Sequence, residues 1–135
     1  MHLDPTAFLA DPELIRALNE QATPVECYTD RILFEQDESP AGIYILHEGE
    51  ATVSMTSQHG KTIFSVKVGA GSLLGLPGLI SNQPYSLTAV AHGGSRVSFL
   101  DSSKFTVMMM ADQSLAFKVV QLLAAEVRSA RHALY

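Results

Sequence analysis

The sequence predicts a mainly β fold with flanking helices, an all-β barrel or jelly roll followed by a long C-terminal helix. Three observations predict it. Seven or eight short segments alternate apolar and polar residues, with turn signals every ~8–12 residues. Two Asp-Pro pairs, at 4–5 and 11–12, precede the first of these segments and mark short helices. The last stretch, Gln113 to Tyr135, changes to a helical period and has no breaker in it.

The elements follow in order. Asp4-Pro5 opens a short helix through about Ala10. Asp11-Pro12-Glu13 opens a second to about Gln21, with Leu14, Ile15 and Leu18 on one face. Thr23-Pro24 stops it, and Val25 to Tyr28 reads as a strand. Arg31–Glu35, Gly42–His47, Glu50–Ser57 and Lys61–Val68 are the next strands, the last two joined by a Gln58-His59-Gly60 hairpin loop. Ala51, Val53 and Met55 share one face, as do Phe64, Val66 and Val68. Tyr85–Ala91 and Ser95–Leu100 complete the β part. Asp101 caps a helix through about Met110, with Met108, Met109 and Met110 as gap-filling contacts to the barrel. Asp112 caps the final helix, on the order of 34 Å long at 1.5 Å per residue.

Composition bounds the function. A chain of 135 residues, 47% hydrophobic and 17% charged, makes one core-forming domain. We divide it into 1–112, the β part with its N-terminal helices, and 113–135, the C-terminal helix of the same domain. The net charge of −5 argues against direct nucleic-acid contact. Residues 1–50 hold eleven acidic and two basic side chains, which reads as a solvated face. Cys27 is the only cysteine, which rules out an intramolecular disulfide and fits a cytoplasmic protein; on its strand it reads as a small buried hydrophobe. The N-terminus lacks a secretory pattern, and no apolar run is long enough to span a membrane.

Two stretches stand out. Residues 69–91 hold four of the nine glycines and two of the six prolines around a single helical turn. Free N–H groups at such a turn can hold an anion; equally, the glycines can serve tight turns in a buried loop. In the final helix, Ala116, Val120, Leu123, Val127, Ala130 and Leu134 recur at spacings of four and three, an a/d seam. Leu115, Val119 and Leu122 form a second strip on the first half only. The first half is therefore expected to pack on the barrel and on a partner, the second half on the partner alone. The natural partner is the same helix in a second copy, giving a homodimer; one wide core-facing stripe is the alternative.

Phe34 through Tyr44, the Gly-Ile-Tyr-Ile-Leu-x-x-Gly run at 42–49, the glycine-rich cassette at 71–91 and the long helix after it carry a resemblance. The chain resembles a cyclic-nucleotide-binding-type domain, the sensor half of Crp/Fnr-type transcription regulators. That resemblance implies a jelly roll (a double-stranded β-helix) flanked by helices, with ligand held between barrel and long helix. It places the pocket at Gly71, Leu74, Gly75, Leu76, Pro77, Leu79, Ser86, Leu87 and Thr88. Members that bind cyclic nucleotides carry a Gly-Glu pair where this chain has Gly75-Leu76, and an Arg followed by Ser or Thr where it has Ser86-Leu87. The ribose-binding carboxylate and the phosphate-binding cation are both replaced, and Pro77 removes a backbone N–H. The cassette is thus a degenerate one, unsuited to cyclic AMP or cyclic GMP, and Leu76 and Leu87 would make the old phosphate pocket apolar. Where the family turn carries Gly this chain has Asp37, which tolerates the left-handed region.

The expected function is that of a non-enzymatic sensor or regulatory domain in signal transduction or transcription regulation, with a small-molecule ligand unnamed and no cofactor. One alternative is the sensor half of a Crp/Fnr-type factor that binds another small or apolar ligand. Such regulators continue into a helix-turn-helix, whereas this sequence stops at Tyr135; Met1 and the N-terminal helix read as a natural start. A second alternative is a metal-dependent enzyme of the cupin type. It would need a His-x-His pair with a nearby Glu, and the histidines at 2, 47, 59, 92 and 132 offer only His47-Glu48, on opposite strand faces. No metal site is expected. No Gly-x-Ser-x-Gly nucleophile elbow is present either.

Overall fold

The computed structural model describes residues 3–134, and of 132–134 the backbone alone. A 3-10 turn, Pro5–Phe8, precedes helix α1, Pro12–Asn19. The strands are β1 Thr23–Val25, β2 Arg31–Phe34, β3 Gly42–Glu48, β4 Glu50–Thr56, β5 Thr62–Gly69, β6 Ser72–Leu74, β7 Thr88–Ala91 and β8 Arg96–Asp101. Helix α2, Leu76–Ser81, interrupts them after β6; α3, Ser102–Ala111, and α4, Gln113–Leu134, follow them. Every paired strand is antiparallel, in two four-stranded sheets ordered β1-β8-β3-β6 and β2-β7-β4-β5. This is the jelly roll with flanking helices and a long C-terminal helix that the sequence predicts.

Strand patterning explains the two-part core. Leu46, Ala51, Val53, Val68, Leu74, Ala89, Ala91 and Val97 fill the space between the sheets. Ile43, Ile45, Leu73 and Leu100 point the other way, from the first sheet onto the helices, where they meet Leu14, Leu18, Phe105, Val119 and Leu122. The run Ile43-Tyr44-Ile45-Leu46 and the pair Leu73-Leu74 are apolar without alternation because both faces of β3 and β6 are covered. All eleven acidic residues of the first fifty are exposed, as the charge pattern predicts.

Several boundaries move, each for a local reason. The first predicted helix shortens to the 3-10 turn because Leu9 turns extended and bridges Ser72. The first strand is Thr23–Val25 instead of Val25–Tyr28; Pro24 is tolerated because β1 is an edge strand. Cys27 lies just beyond it, buried as expected, and burial pushes its thiol pKa up. β7 starts at Thr88 rather than Tyr85. The Tyr85 hydroxyl donates to the Gly42 carbonyl at 2.7 Å, and its ring stacks on Phe34 with centroids 4.1 Å apart. Those contacts hold Tyr85 inside the barrel mouth and off the sheet. Met108 and Met109 pack on the helical core, but Met110 is exposed.

α4 turns by 118° from α3 at Asp112, whose carboxylate accepts from the Ser114 N–H at 2.9 Å and the Leu115 N–H at 3.2 Å. Its first half packs through Leu115, Val119 and Leu122, and Lys118 pairs with Asp11 at 3.0 Å. The second half corrects the sequence expectation: it too faces the protein, through Glu126, Ser129 and Ala130. These residues continue the same stripe at helical spacing, and the carboxylate and hydroxyl within it disguise the pattern. Ser129 Oγ accepts from the Asp4 N–H at 2.8 Å, which ties the N-terminal segment to this helix.

Candidate functional site

The second half of α4 roofs a cavity of about 160 Å³ over the barrel mouth. Met55 and Phe64 reach it from paired positions on β4 and β5. Pro77 comes from the first turn of α2, Ser86 and Leu87 from the segment before β7, and Leu3 from the N-terminal segment. Glu126, Val127 and Ala130 close it from above. The wall is apolar apart from Ser86 and Glu126.

Glu126 is 6% exposed, and neither carboxylate oxygen has a hydrogen-bond partner among the described residues. Burial pushes its pKa up to about 8, because a charged carboxylate loses its hydration there and gains no cation in return. Sequence reasoning missed this residue. A single Glu on an amphipathic helix reads as solvent-facing, and only its spacing of four from Leu122 and three from Ser129 signals the inner stripe.

The predicted pocket residues divide. Pro77, Ser86 and Leu87 line the cavity. Leu76 does not: it is fully buried among α1, α3 and β3 side chains, so the apolar wall expected from it is supplied by Pro77 instead. Leu79 also packs on that helical core, whereas Leu74 lies in the barrel interior. Gly71 and Gly75 serve the turns at the two ends of β6. Gly75 has φ of +92° as the cap of α2, and a Cβ there would sit 3.0 Å from the Tyr85 ring. Thr88 accepts the Gln36 N–H at 2.9 Å through its hydroxyl. The turn at Asp37 persists with φ of +74°, its N–H donating to the Tyr85 carbonyl at 2.8 Å.

On the outer side of α4, Val120 and Val127, the latter also at the cavity's edge, are more than half exposed and line an open groove with Leu123, Ala124, Arg128 and Arg131. Of the predicted seam, Ala116 is half-buried, Ala130 turns toward the cavity, and the Leu134 side chain lies outside the described residues. The histidines do not gather. His47 Nε2 lies 2.9 Å from Ser98 Oγ, and His92 Nε2 lies 2.8 Å from Thr52 Oγ1. Among the described residues no three His, Cys, Asp or Glu side chains converge as metal ligands. No single described helix is long and apolar enough to cross a membrane.

No curated protein matches the chain by sequence. Among solved structures it is similar to the catabolite activator protein of Thermus thermophilus, with TM-score 0.78 at 20% identity, over 97% of this chain and 62% of that one. It is similar to a transcriptional regulator from Thermotoga maritima, with TM-score 0.73 at 20% identity, over 89% of this chain and 94% of that one. Oxidized CprK in complex with o-chlorophenolacetic acid gives TM-score 0.73 at 15% identity, over 94% of this chain and 52% of that one. The chain thus spans less than two thirds of the Thermus protein and of CprK. At these identities the likeness shows the fold. The model of the cyclic nucleotide-binding domain matches residues 24–112, well over half of the sequence and all of the barrel but Thr23, so the chain belongs to the cyclic nucleotide-binding domain family.

Proposed function

We propose that the chain is a non-enzymatic sensor or regulatory domain, acting in signal transduction or transcription regulation, whose cassette does not bind cyclic AMP or cyclic GMP. One observation carries this reading. Among the described residues, those lining the cavity include a carboxylate and no cation. A cyclic phosphate brought there would face Glu126 without a guanidinium, and burying that charge uncompensated costs several kcal/mol. The small volume and apolar wall favour a smaller, less polar ligand. CprK in complex with o-chlorophenolacetic acid is a precedent for such a ligand in a protein of similar fold.

Millimolar cyclic AMP or cyclic GMP is expected to leave the melting temperature within a degree of the free protein. Occupancy at a hundred times Kd would add ~2.7 kcal/mol. For a domain of this size that is a shift on the order of 5–10 °C, and a shift of that size overturns the reading.

The same proposal includes a homodimer through α4. Val120, Leu123 and Val127 keep the β-branched/leucine alternation that favours two strands, and they stand along an open groove. Arg128 and Arg131 rim that groove and are exposed, so no buried charge opposes pairing. Val120→Glu is expected to halve the mass seen by light scattering, because two like carboxylates would meet in the seam. The circular dichroism of the barrel should be unchanged, since Val119 and Leu122 still pack on it. A wild-type protein that scatters as a monomer at tens of micromolar would remove the dimer from the proposal.

A further inference from the structure

We propose that the cavity beneath α4 takes a small primary amine with an apolar body, its ammonium group held by the Glu126 carboxylate. This rests on the sensor reading above and names the chemistry of that same cavity. The argument begins from the two Glu126 oxygens, both buried and both without a partner among the described residues, on a side chain that lines the cavity. A buried carboxylate in that condition calls for donors and for positive charge. An ammonium group brings both, with three N–H donors for two acceptor oxygens. Phe64 and Met55 face the same space and suit a cation and its hydrocarbon body, the first by its ring face and the second by its polarizable sulfur.

Among the described residues nothing else charged competes. Leu3, Met55, Phe64, Pro77, Leu87, Val127 and Ala130 carry no titratable group, and Ser86 is neutral. Arg128 and Arg131 on the same helix are exposed in the groove on its other face. Asp4, which meets α4 one turn on, uses its backbone N–H on Ser129 and its carboxylate on Thr6. The volume of about 160 Å³ suits one ring with a one-carbon arm; an apolar cavity of ~150 Å³ admits a benzene-sized molecule.

The pH dependence follows from the same geometry. The ammonium needs the ionised carboxylate, and burial holds Glu126 mostly protonated at neutral pH. Amine affinity should therefore rise roughly tenfold from pH 6 to pH 7, about fivefold more to pH 8, and level off above that, as the cost of deprotonation disappears. A neutral ligand that hydrogen-bonds the protonated carboxyl would show the opposite trend.

The test is calorimetric titration of the full chain with benzylamine, benzyl alcohol, benzoate and cyclic AMP at pH 6, 7 and 8, repeated on Glu126→Gln. The expected result is saturable benzylamine binding that tightens with pH. Benzyl alcohol and benzoate should bind at least tenfold more weakly, and Glu126→Gln should lose the preference for the amine. Equal affinity for benzyl alcohol, affinity for benzylamine that falls with pH, unchanged affinity in Glu126→Gln, or no binding of benzylamine each overturns the amine assignment. The comparison of the ligands on the wild-type protein does not depend on the variant folding. Binding of benzyl alcohol or benzoate in place of benzylamine removes only this assignment and leaves the sensor reading standing. Binding of cyclic AMP removes the sensor reading itself.

Discussion

Replacing Glu126 by leucine is expected to stabilise the protein, far more above pH 8 than at pH 4. The carboxyl has its pKa pushed up to about 8 in the fold, against an ordinary value near 4.3 in an unfolded chain. Below both values the group is protonated folded or unfolded, and it makes no pH-dependent contribution. Between them the unfolded chain has released its proton and the folded one has not. Stability then falls by about 1.4 kcal/mol per pH unit. Above both values the full penalty is present, on the order of 5 kcal/mol. Leucine removes the ionisable group and adds apolar contact with Phe64, Leu87 and Ala130 around it. Urea unfolding at pH 5, 7 and 9 measures this. The wild type should lose stability across the series, and Glu126→Leu should remove most of that slope. Glu126→Gln should flatten it too, with less gain because the amide stays polar. Parallel wild-type and variant profiles would mean that the carboxylate is hydrated or paired in solution.

Gly42→Ala is expected to cost about 3 kcal/mol or more, a fall in melting temperature on the order of 10 °C. Gly42 opens β3 opposite Asp101 of β8. An added Cβ would fall on the Leu100 carbonyl oxygen and within 2.8 Å of the Phe99 ring. A backbone carbonyl in a paired strand cannot swing aside as a side chain can, so β3 and β8 would have to part. The same movement would disturb Tyr85, whose hydroxyl donates to the Gly42 carbonyl and accepts from the N–H groups of Ala41 and Gly42 at 3.1 and 3.3 Å. Because Tyr85 stands at the barrel mouth next to Ser86, benzylamine binding should weaken along with stability. Thermal unfolding checks the first effect. A drop of less than a few degrees would mean that the two strands separate easily at this end.

Local signals were legible in the sequence wherever one residue and its neighbours decide the outcome. Asp11 and Asp101 cap α1 and α3 as their positions suggest; each carboxylate accepts a backbone N–H in the first turn, at 2.8 Å from Glu13 and 2.9 Å from Lys104. Ala51, Val53 and Val68 are buried on the faces that alternation assigns them. The left-handed turn at Asp37 could be anticipated because a short polar side chain tolerates that region. Leu76 and Ser86 at the cassette positions were also legible as residue types, and the proposed loss of nucleotide binding starts from them.

What depended on distant parts of the chain was not legible. Leu76 sits in a cassette, yet it turns to α1 and α3 because the first sheet leaves an apolar face there for the helices. Tyr85 reads as the start of a strand until Gly42, 43 residues earlier, supplies its hydrogen-bond partner. Glu126 reads as a solvated helix residue until β4, β5 and the N-terminal segment meet beneath α4. The sequence by itself determined the fold class, the capped helices and the strand faces, because period, capping and residue type act over a few positions. Only the tertiary structure decided which stripe of α4 is covered and that a carboxylate lies beneath it. Burial is a property of what surrounds a residue, and the described residues beyond α4 that share the cavity with Glu126 all come from more than 35 positions away.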